Sequence, residues 1–348
     1  MTYISTGTTY RVFDESLKTY DTLPVGTYRV SFSDMSGFFL TKIEDIGPGT
    51  EKVYGNHNER IDRILRSYNS FTRSLGVLLS GDKGMGKSLM VRLIAERVRN
   101  ELEMPVILVD KDYDGISRFL DSLDEAFIIF DEFEKVFPAG REENRQNQFL
   151  GLFDGISTTK RIYMVTVNSL NNLSDYFVNR PGRFHYHIRF DYPNAASIRE
   201  YLTDQVPNIS TKNLDDAVLL SHSVNLNYDH LRALAFELSL GSDFRDIIGD
   251  LNIKRVEELR YLVQATFTNG DVITSIEYLD LNGTERERFY MYHQEGQINF
   301  SFSPEDLDVT ENGIDIPLAK VQAKTDIENL GKLSGFSVSL MGQKSINF

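Results

Sequence analysis

The spacing of apolar and polar positions divides this chain into four regions. From residue 1 to about 50, Tyr, Thr and Val recur between turn signals such as Pro24-Val25-Gly26 and Gly47-Pro48-Gly49, which predicts short strands. From about 51 to 192, short apolar runs alternate with amphipathic stretches, the pattern of a parallel sheet covered by helices. Gly76 to Ser80 is an apolar run of buried-strand length, and Ser88 to Leu102 places Met90, Leu93, Ile94 and Val98 on one helical face. From about 193 to 256 the period is helical throughout, with Leu231, Leu234, Ala235 and Leu238 as one core stripe. After about 257 the period returns to two. Two alternating runs flank Asn269-Gly270, the strongest short hairpin signal. The expected architecture is α/β, a parallel sheet and a helical lid flanked by small β-rich segments at both ends.

Composition adds boundaries to that picture. The 348 residues suggest two or three compact units, and 41% apolar with 25% charged residues supports a sizeable core. Without cysteine, disulfides and thiolate metal sites are excluded. Residues 1–16 show no basic region followed by an apolar run, and no stretch is apolar enough to span a bilayer. The expectation is therefore a cytoplasmic protein with no membrane partner. A net charge of −14 speaks against a general nucleic-acid binder.

The candidate chemistry begins between the first buried run and its helix. Gly81-Asp82-Lys83-Gly84-Met85-Gly86-Lys87-Ser88 has the form G-x-x-x-x-G-K-[ST]. Its glycines let backbone N–H groups approach phosphates, Lys87 reaches the β- and γ-phosphates, and the Ser88 hydroxyl suits Mg²⁺. Strand, glycine loop and helix follow in the order a triphosphate site requires, with the helix N-terminus aimed at the anion. Further on, the apolar run Ala126 to Phe130 ends in Asp131 and Glu132. Asp131 suits the Mg²⁺ side of such a site, and Glu132 can orient or deprotonate the attacking water. The run Arg161 to Val167 ends at Asn168, whose amide can bond the γ-phosphate or the water, or simply form a turn. Arg180 and Arg183 flank Pro181-Gly182, which sets two guanidiniums on one tight corner, for phosphate oxygens or for salt bridges. His185 and His187 share one side of a strand, but no third ligand stands at a metal-site spacing.

In their order, Gly81–Ser88, Phe127–Glu132, Asn147–Ser157 and Val167–Phe184 resemble the AAA ATPases, over roughly residues 53 to 252. Val167 to Phe184 resembles that clade's second region of homology. The resemblance implies Mg²⁺-dependent ATP hydrolysis at the subunit interfaces of a homo-oligomeric ring, usually a hexamer. It implies that Arg180 and Arg183 are arginine fingers acting on the neighbour's γ-phosphate and that Asn168 senses that phosphate. It places Tyr54 and Gly55 nearest the adenine, Tyr113 and Gly115 in a substrate-gripping pore loop, and Arg232 either on phosphate or in solvent. Three departures stand out. Asn168 and Arg180 are one residue further apart than usual, Asp114 stands where the clade prefers an apolar residue, and Tyr228-Asp229 replaces a common Gly-Ala. A compact AAA module with unfamiliar β appendages also looks somewhat like phage-encoded members, which would make the location a host cytoplasm.

The expected domains are a β-rich segment (1–50), a nucleotide-binding α/β domain (51–192), a helical lid (193–256) and a β-rich domain (257–348). The expected work is remodelling of a protein or protein assembly. A nucleic-acid motor or loader is the second reading, and a nucleotide-gated scaffold the third. Protein is preferred over nucleic acid because thirteen acidic residues stand against six basic ones between Tyr261 and Phe348. Phe300 and Phe302 alternate as one core face of a strand would, although such rings can also stack on bases.

Overall fold

The structure, a computed structural model, describes residues 2–6, 8–13, 17–49, 52–139, 145–154, 159–177, 180–253, 259–281, 285–310, 313–327 and 330–341. The chain divides into two units, Met1–Asp191 and Tyr192–Phe348.

The first unit begins with a hairpin of β1 (Thr2–Thr6) and β2 (Thr9–Phe13), and a second hairpin of β3 (Thr27–Ser33) and β4 (Gly37–Ile43). Helix α1 (His57–Ser70) leads into β5 (Leu75–Ser80), whose six residues are all buried, as a strand covered on both faces must be. Helix α2 (Lys87–Glu101) buries Met90, Leu93, Ile94 and Val98, the face its periodicity marks. Then come β6 (Val106–Val109), α3 (Ile116–Asp121), β7 (Phe127–Phe130), the short α4 (Phe133–Val136) and α5 (Leu150–Phe153). Strands β8 (Ile162–Val167) and β9 (Tyr186–Arg189) complete the unit.

One seven-stranded sheet organises these elements in the order β4-β3-β6-β7-β8-β5-β9. Strands β3 to β9 in that row pair parallel, and only β4 runs antiparallel, on the edge. The boundary expected near residue 50 is crossed by hydrogen bonding, because β3 pairs with β6 from Thr27↔Val106 to Arg29↔Leu108. The second hairpin therefore extends the central sheet. Behind β7, Phe130, Phe133, Phe137, Phe149 and Phe153 pack edge to face with centroids 5.2–6.3 Å apart in most pairs, holding the start of α4 against the sheet.

The second unit opens with helices α6 (Ala195–Gln205), α7 (Thr211–Ser223), α8 (Tyr228–Ser239) and α9 (Phe244–Ile247). Side chains of Asn194, Ser210 and Asn227 cap the first three. Helix α8 buries Leu231, Leu234, Ala235 and Leu238. The boundary expected near 256 lies outside the described residues. Beyond it, β10 (Leu259–Phe267) and β11 (Val272–Leu279) form the hairpin around Asn269-Gly270. After β12 (Glu287–His293) and β13 (Gly296–Phe302) come β14 (Asp308–Thr310), β15 (Gly313–Asp315), β16 (Gln322–Thr325) and β17 (Leu333–Leu340). They make a five-stranded sheet, β11-β10-β17-β15-β14, and a three-stranded one, β12-β13-β16. Phe300 and Phe302 are fully buried, and their rings meet Phe336 of the other sheet at 5.5 and 6.1 Å. Neither ring is open to a base.

Gly76 shows how tightly β5 and the following corner fit. A methyl group there would overlap the carbonyl oxygen of Arg183. Gly76→Ala is therefore expected to destabilise by roughly 1–3 kcal/mol, the cost of overpacking a close-packed site. Thermal unfolding of the full chain measures this, and an unchanged melting temperature would show that the corner yields freely.

Candidate functional site

Register brings the site together. Strand β5 pairs with β8 so that Ser80 lies opposite Val167, and β7 pairs with β8 so that Phe130 lies opposite Val165. Gly81, Asp131 and Asn168 therefore leave the sheet at the same end. Strand β5 sits between β8 and β9, out of sequence order, which is where open α/β sheets bind ligands beyond their strand ends.

The loop after β5 needs its glycines. Gly81, Gly84 and Gly86 have φ of 146°, 74° and 92°. A Cβ on Gly81 would also overlap the Phe190 carbonyl oxygen. Helix α2 starts at Lys87 with no side chain capping it, so its first N–H groups are left for an anion. Lys87 is buried, and its ammonium donates to the carbonyls of Gly81 and Asp82 (the latter at 2.8 Å) and to Asn168 Oδ1 at 3.1 Å. Burial pulls its pKa down, opposed by Glu134, Asp82, Asp131 and Glu132. In the same loop Met85 is buried, whereas Asp82, Lys83 and Ser88 are exposed.

The carboxylates are held from β8. Thr166 is 1% exposed; its hydroxyl donates to Asp131 Oδ1 at 2.7 Å and accepts from the Glu132 N–H at 2.8 Å. Glu132 has φ 48° and ψ 48°, an uncommon left-handed conformation for a non-glycine residue. Its carboxylate pairs with Lys135 and accepts from Asn168 Nδ2 at 3.2 Å, and the Lys135 bond holds its pKa down. The Asn168 amide thus faces Lys87 with its oxygen and Glu132 with its nitrogen.

Sequence patterns did not single out Thr166 or Glu134. Glu134 is 7% exposed, and its Oε1 accepts from Asn168 N at 2.9 Å and Nδ2 at 3.1 Å. Its Oε2 is buried without a hydrogen bond. A polar Thr in the apolar run of β8 and a second acid two residues after Glu132 were the available signals.

The two corner arginines differ. Arg183 is 7% exposed, and its guanidinium grips Asp154 through Nε at 2.5 Å and Nη2 at 2.9 Å, and donates to the Tyr176 carbonyl. Arg180 is exposed and lies over the Tyr176 ring at 5.5 Å. Of the two arginines expected as fingers, Arg183 thus has its fork on Asp154, and Arg180 has its guanidinium exposed. Val178 and Asn179 lie outside the described residues.

Among the remaining candidates, Tyr54 is buried beside the exposed Gly55, whose φ is 83°, and His57 stacks on Phe190 at 5.8 Å. Tyr113 is half-buried and packs its ring against Phe32 and Phe38 of the β3–β4 hairpin, at 5.8 and 6.1 Å, next to the exposed Gly115. A gripping role would require that ring to leave its aromatic neighbours. Arg232 is exposed on α8 with Asp229 3.6 Å away. His187 bonds Ser80 Oγ at 2.7 Å, and His185 packs edge-on against Phe71.

Known proteins resemble this chain in sequence. Residues 77–192 match the ATPase family associated with various cellular activities (AAA). The vesicular-fusion protein SEC18 of Candida albicans is 26% identical over 56% of this chain and 28% of its own length. The ATP-dependent zinc metalloprotease FtsH of Nitrosococcus oceani is 24% identical over 64% of this chain and 36% of its own. The ATPase histone chaperone abo1 of Schizosaccharomyces pombe is 25% identical over 48% and 16%. The chain thus spans little more than a third of these relatives at most. No helix among the described residues is long and apolar enough to cross a membrane.

Glu134 is expected to act by positioning Asn168. Glu134→Ala leaves the half-buried Asn168 N–H without its acceptor, a loss of roughly 1–3 kcal/mol. It should lower kcat for ATP more than it raises KM. Glu134→Gln keeps an oxygen for both Asn168 donors and should restore most of kcat. Equal loss of stability and of kcat in both variants would make Glu134 a packing residue only.

Proposed function

We propose that this chain, which carries an AAA ATPase domain, binds ATP with Mg²⁺ at Gly81–Ser88 and hydrolyses it at interfaces of a ring of like subunits. The observation that carries the reading is the amide of Asn168, bonded at once to Lys87 of the phosphate loop and to Glu132 at the end of β7. One side chain thereby links the group that holds phosphate charge to the group that faces water. Lys87 neutralises the β- and γ-phosphates. The Lys135 bond lowers the Glu132 pKa, and the carboxylate would orient or deprotonate the attacking water. Tyr54 and Gly55 lie nearest the adenine.

The Ser88 hydroxyl and the Thr166-bound carboxylate of Asp131 are hard oxygen donors that fit magnesium. Among the described residues no group of three histidine or acidic side chains converges as a metal cage. Two protein ligands and phosphate oxygens would hold the ion, as magnesium usually requires. When bound, it neutralises charge on the β- and γ-phosphates.

A neighbouring subunit would supply Arg180, whose guanidinium is exposed, while Arg183 braces the corner through Asp154. The turnover would drive remodelling of a protein partner. Support comes from the second unit, where Tyr278, Tyr290 and Tyr292 are exposed on β11 and β12 in a strongly acidic segment. Amphipathic rings of this kind are enriched at protein interfaces, and phosphate backbones need cations, of which this segment has six against thirteen acidic residues.

Lys87→Ala should abolish ATP binding, whereas Glu132→Gln should bind ATP and not turn it over. Arg180→Ala should bind ATP and lose about 10³- to 10⁵-fold in turnover, with part of the activity restored by mixing with Glu132→Gln subunits. Arg183→Ala should instead lower the melting temperature. Wild-type turnover in Arg180→Ala, or a rate per chain that survives dilution to monomers, would overturn the ring reading.

A further inference from the structure

Helix α1 and the edge strand β9 enclose a cavity of about 360 Å³ that the ATP site does not use. Arg60 and Arg63, one turn apart on α1, line it together with Arg189, His187, Tyr186 and Ile188 of β9. No carboxylate lines it. Arg60, Arg63 and Arg189 form no ion pair among the described residues, although the chain carries 51 acidic residues against 37 basic ones. Asp62, which lies between Arg60 and Arg63 in sequence, turns instead to Arg97 at 2.5 Å. Elsewhere Arg183, Arg199 and Arg97 each hold a carboxylate at 2.5–2.6 Å. Three like charges around one cavity repel one another, and among the described residues no carboxylate pairs with them.

Guanidiniums are always charged and present forked donors that match tetrahedral phosphate oxygens. The cavity is of the size that takes a small ligand, with Ile188 as an apolar wall. Its floor also adjoins the phosphate loop. His187 bonds Ser80, the residue before Gly81, at 2.7 Å, and the Phe190 carbonyl stands where a Gly81 side chain would go. We infer that the cavity between α1 and β9 is a second anion site, which takes a small phosphate-bearing ligand on Arg60, Arg63 and Arg189. An occupant would brace β9, and β9 is packed on the loop that holds ATP.

The test is calorimetric titration of pyrophosphate into the full-length chain saturated with a non-hydrolysable ATP analogue, so that the phosphate loop is filled. One further site per chain is expected. Arg63→Ala should weaken it about tenfold or more, as loss of a charge-assisted pair does, and Arg60→Ala/Arg189→Ala should abolish it. Unchanged melting temperatures would show that these variants are folded. Absence of the second site, or a second site indifferent to the three arginines, would overturn the proposal. So would binding of a hexaglutamate peptide where pyrophosphate fails, which would make the cavity a dock for an acidic protein segment.

Discussion

Everything at this site depends on the parallel register of β8 between β5 and β7. A shift of one residue in either pairing would turn Thr166 from Asp131 and carry Asn168 away from Lys87. The register is secured by burial, since all six residues of β5, all four of β7 and all six of β8 are buried, and a slip would expose or unpair each of them. Two polar side chains then work at the strand ends. Thr166 fixes the carboxylate side and Asn168 joins it to the loop. Their precision is inherited from apolar strands that are buried throughout.

The electrostatics follow from that placement. Lys87 is an ammonium withdrawn from water and surrounded by Glu134, Asp82, Asp131 and Glu132. Burial pulls its pKa down and the surrounding acids push it up, so the carboxylates offset part of the cost of burying the charge. Glu134 belongs to that ring without lying at its mouth. It touches Asn168 twice and keeps one oxygen buried and unbonded, an expensive arrangement in a protein interior. Its two bonds to Asn168 fix where that amide stands.

Contiguous features were legible in the sequence. The glycine loop between β5 and α2, the buried face of α2, the α8 stripe and the Asn269-Gly270 hairpin each depend on residues a few positions apart. What escaped were partners chosen across the sheet. Thr166 and Asp131 are 35 positions apart, and Asn168 and Glu134 are 34 apart, so no local period pairs them. The same limit hid the difference between Arg180 and Arg183, which are three residues apart and chemically identical. Asp154, 29 positions upstream, holds Arg183. Strands β3 and β4 were recognisable as strands, but their place on the edge of the central sheet depends on pairing with β6 beyond a whole helix and strand. Packing of Tyr113 on that hairpin was invisible for the same reason.

Strand β9 concentrates these consequences in four residues and their flanks. On one side of it, Gly76 lacks a side chain so that the carbonyl of Arg183 can approach β5. In the middle, His187 bonds Ser80. At the far end, the carbonyl of Phe190 abuts Gly81. The corner that presents Arg180, the arginine-lined cavity and the first residue of the phosphate loop are thus fixed to one short strand. Close-packed contacts of this kind do not deform by degrees, because a displaced backbone carbonyl meets the next backbone at once. A displacement of the corner or of the cavity wall therefore reaches Gly81 through close backbone contacts rather than through side chains free to reorient. An edge strand is ordinarily the most replaceable member of a sheet. Here it carries the connections.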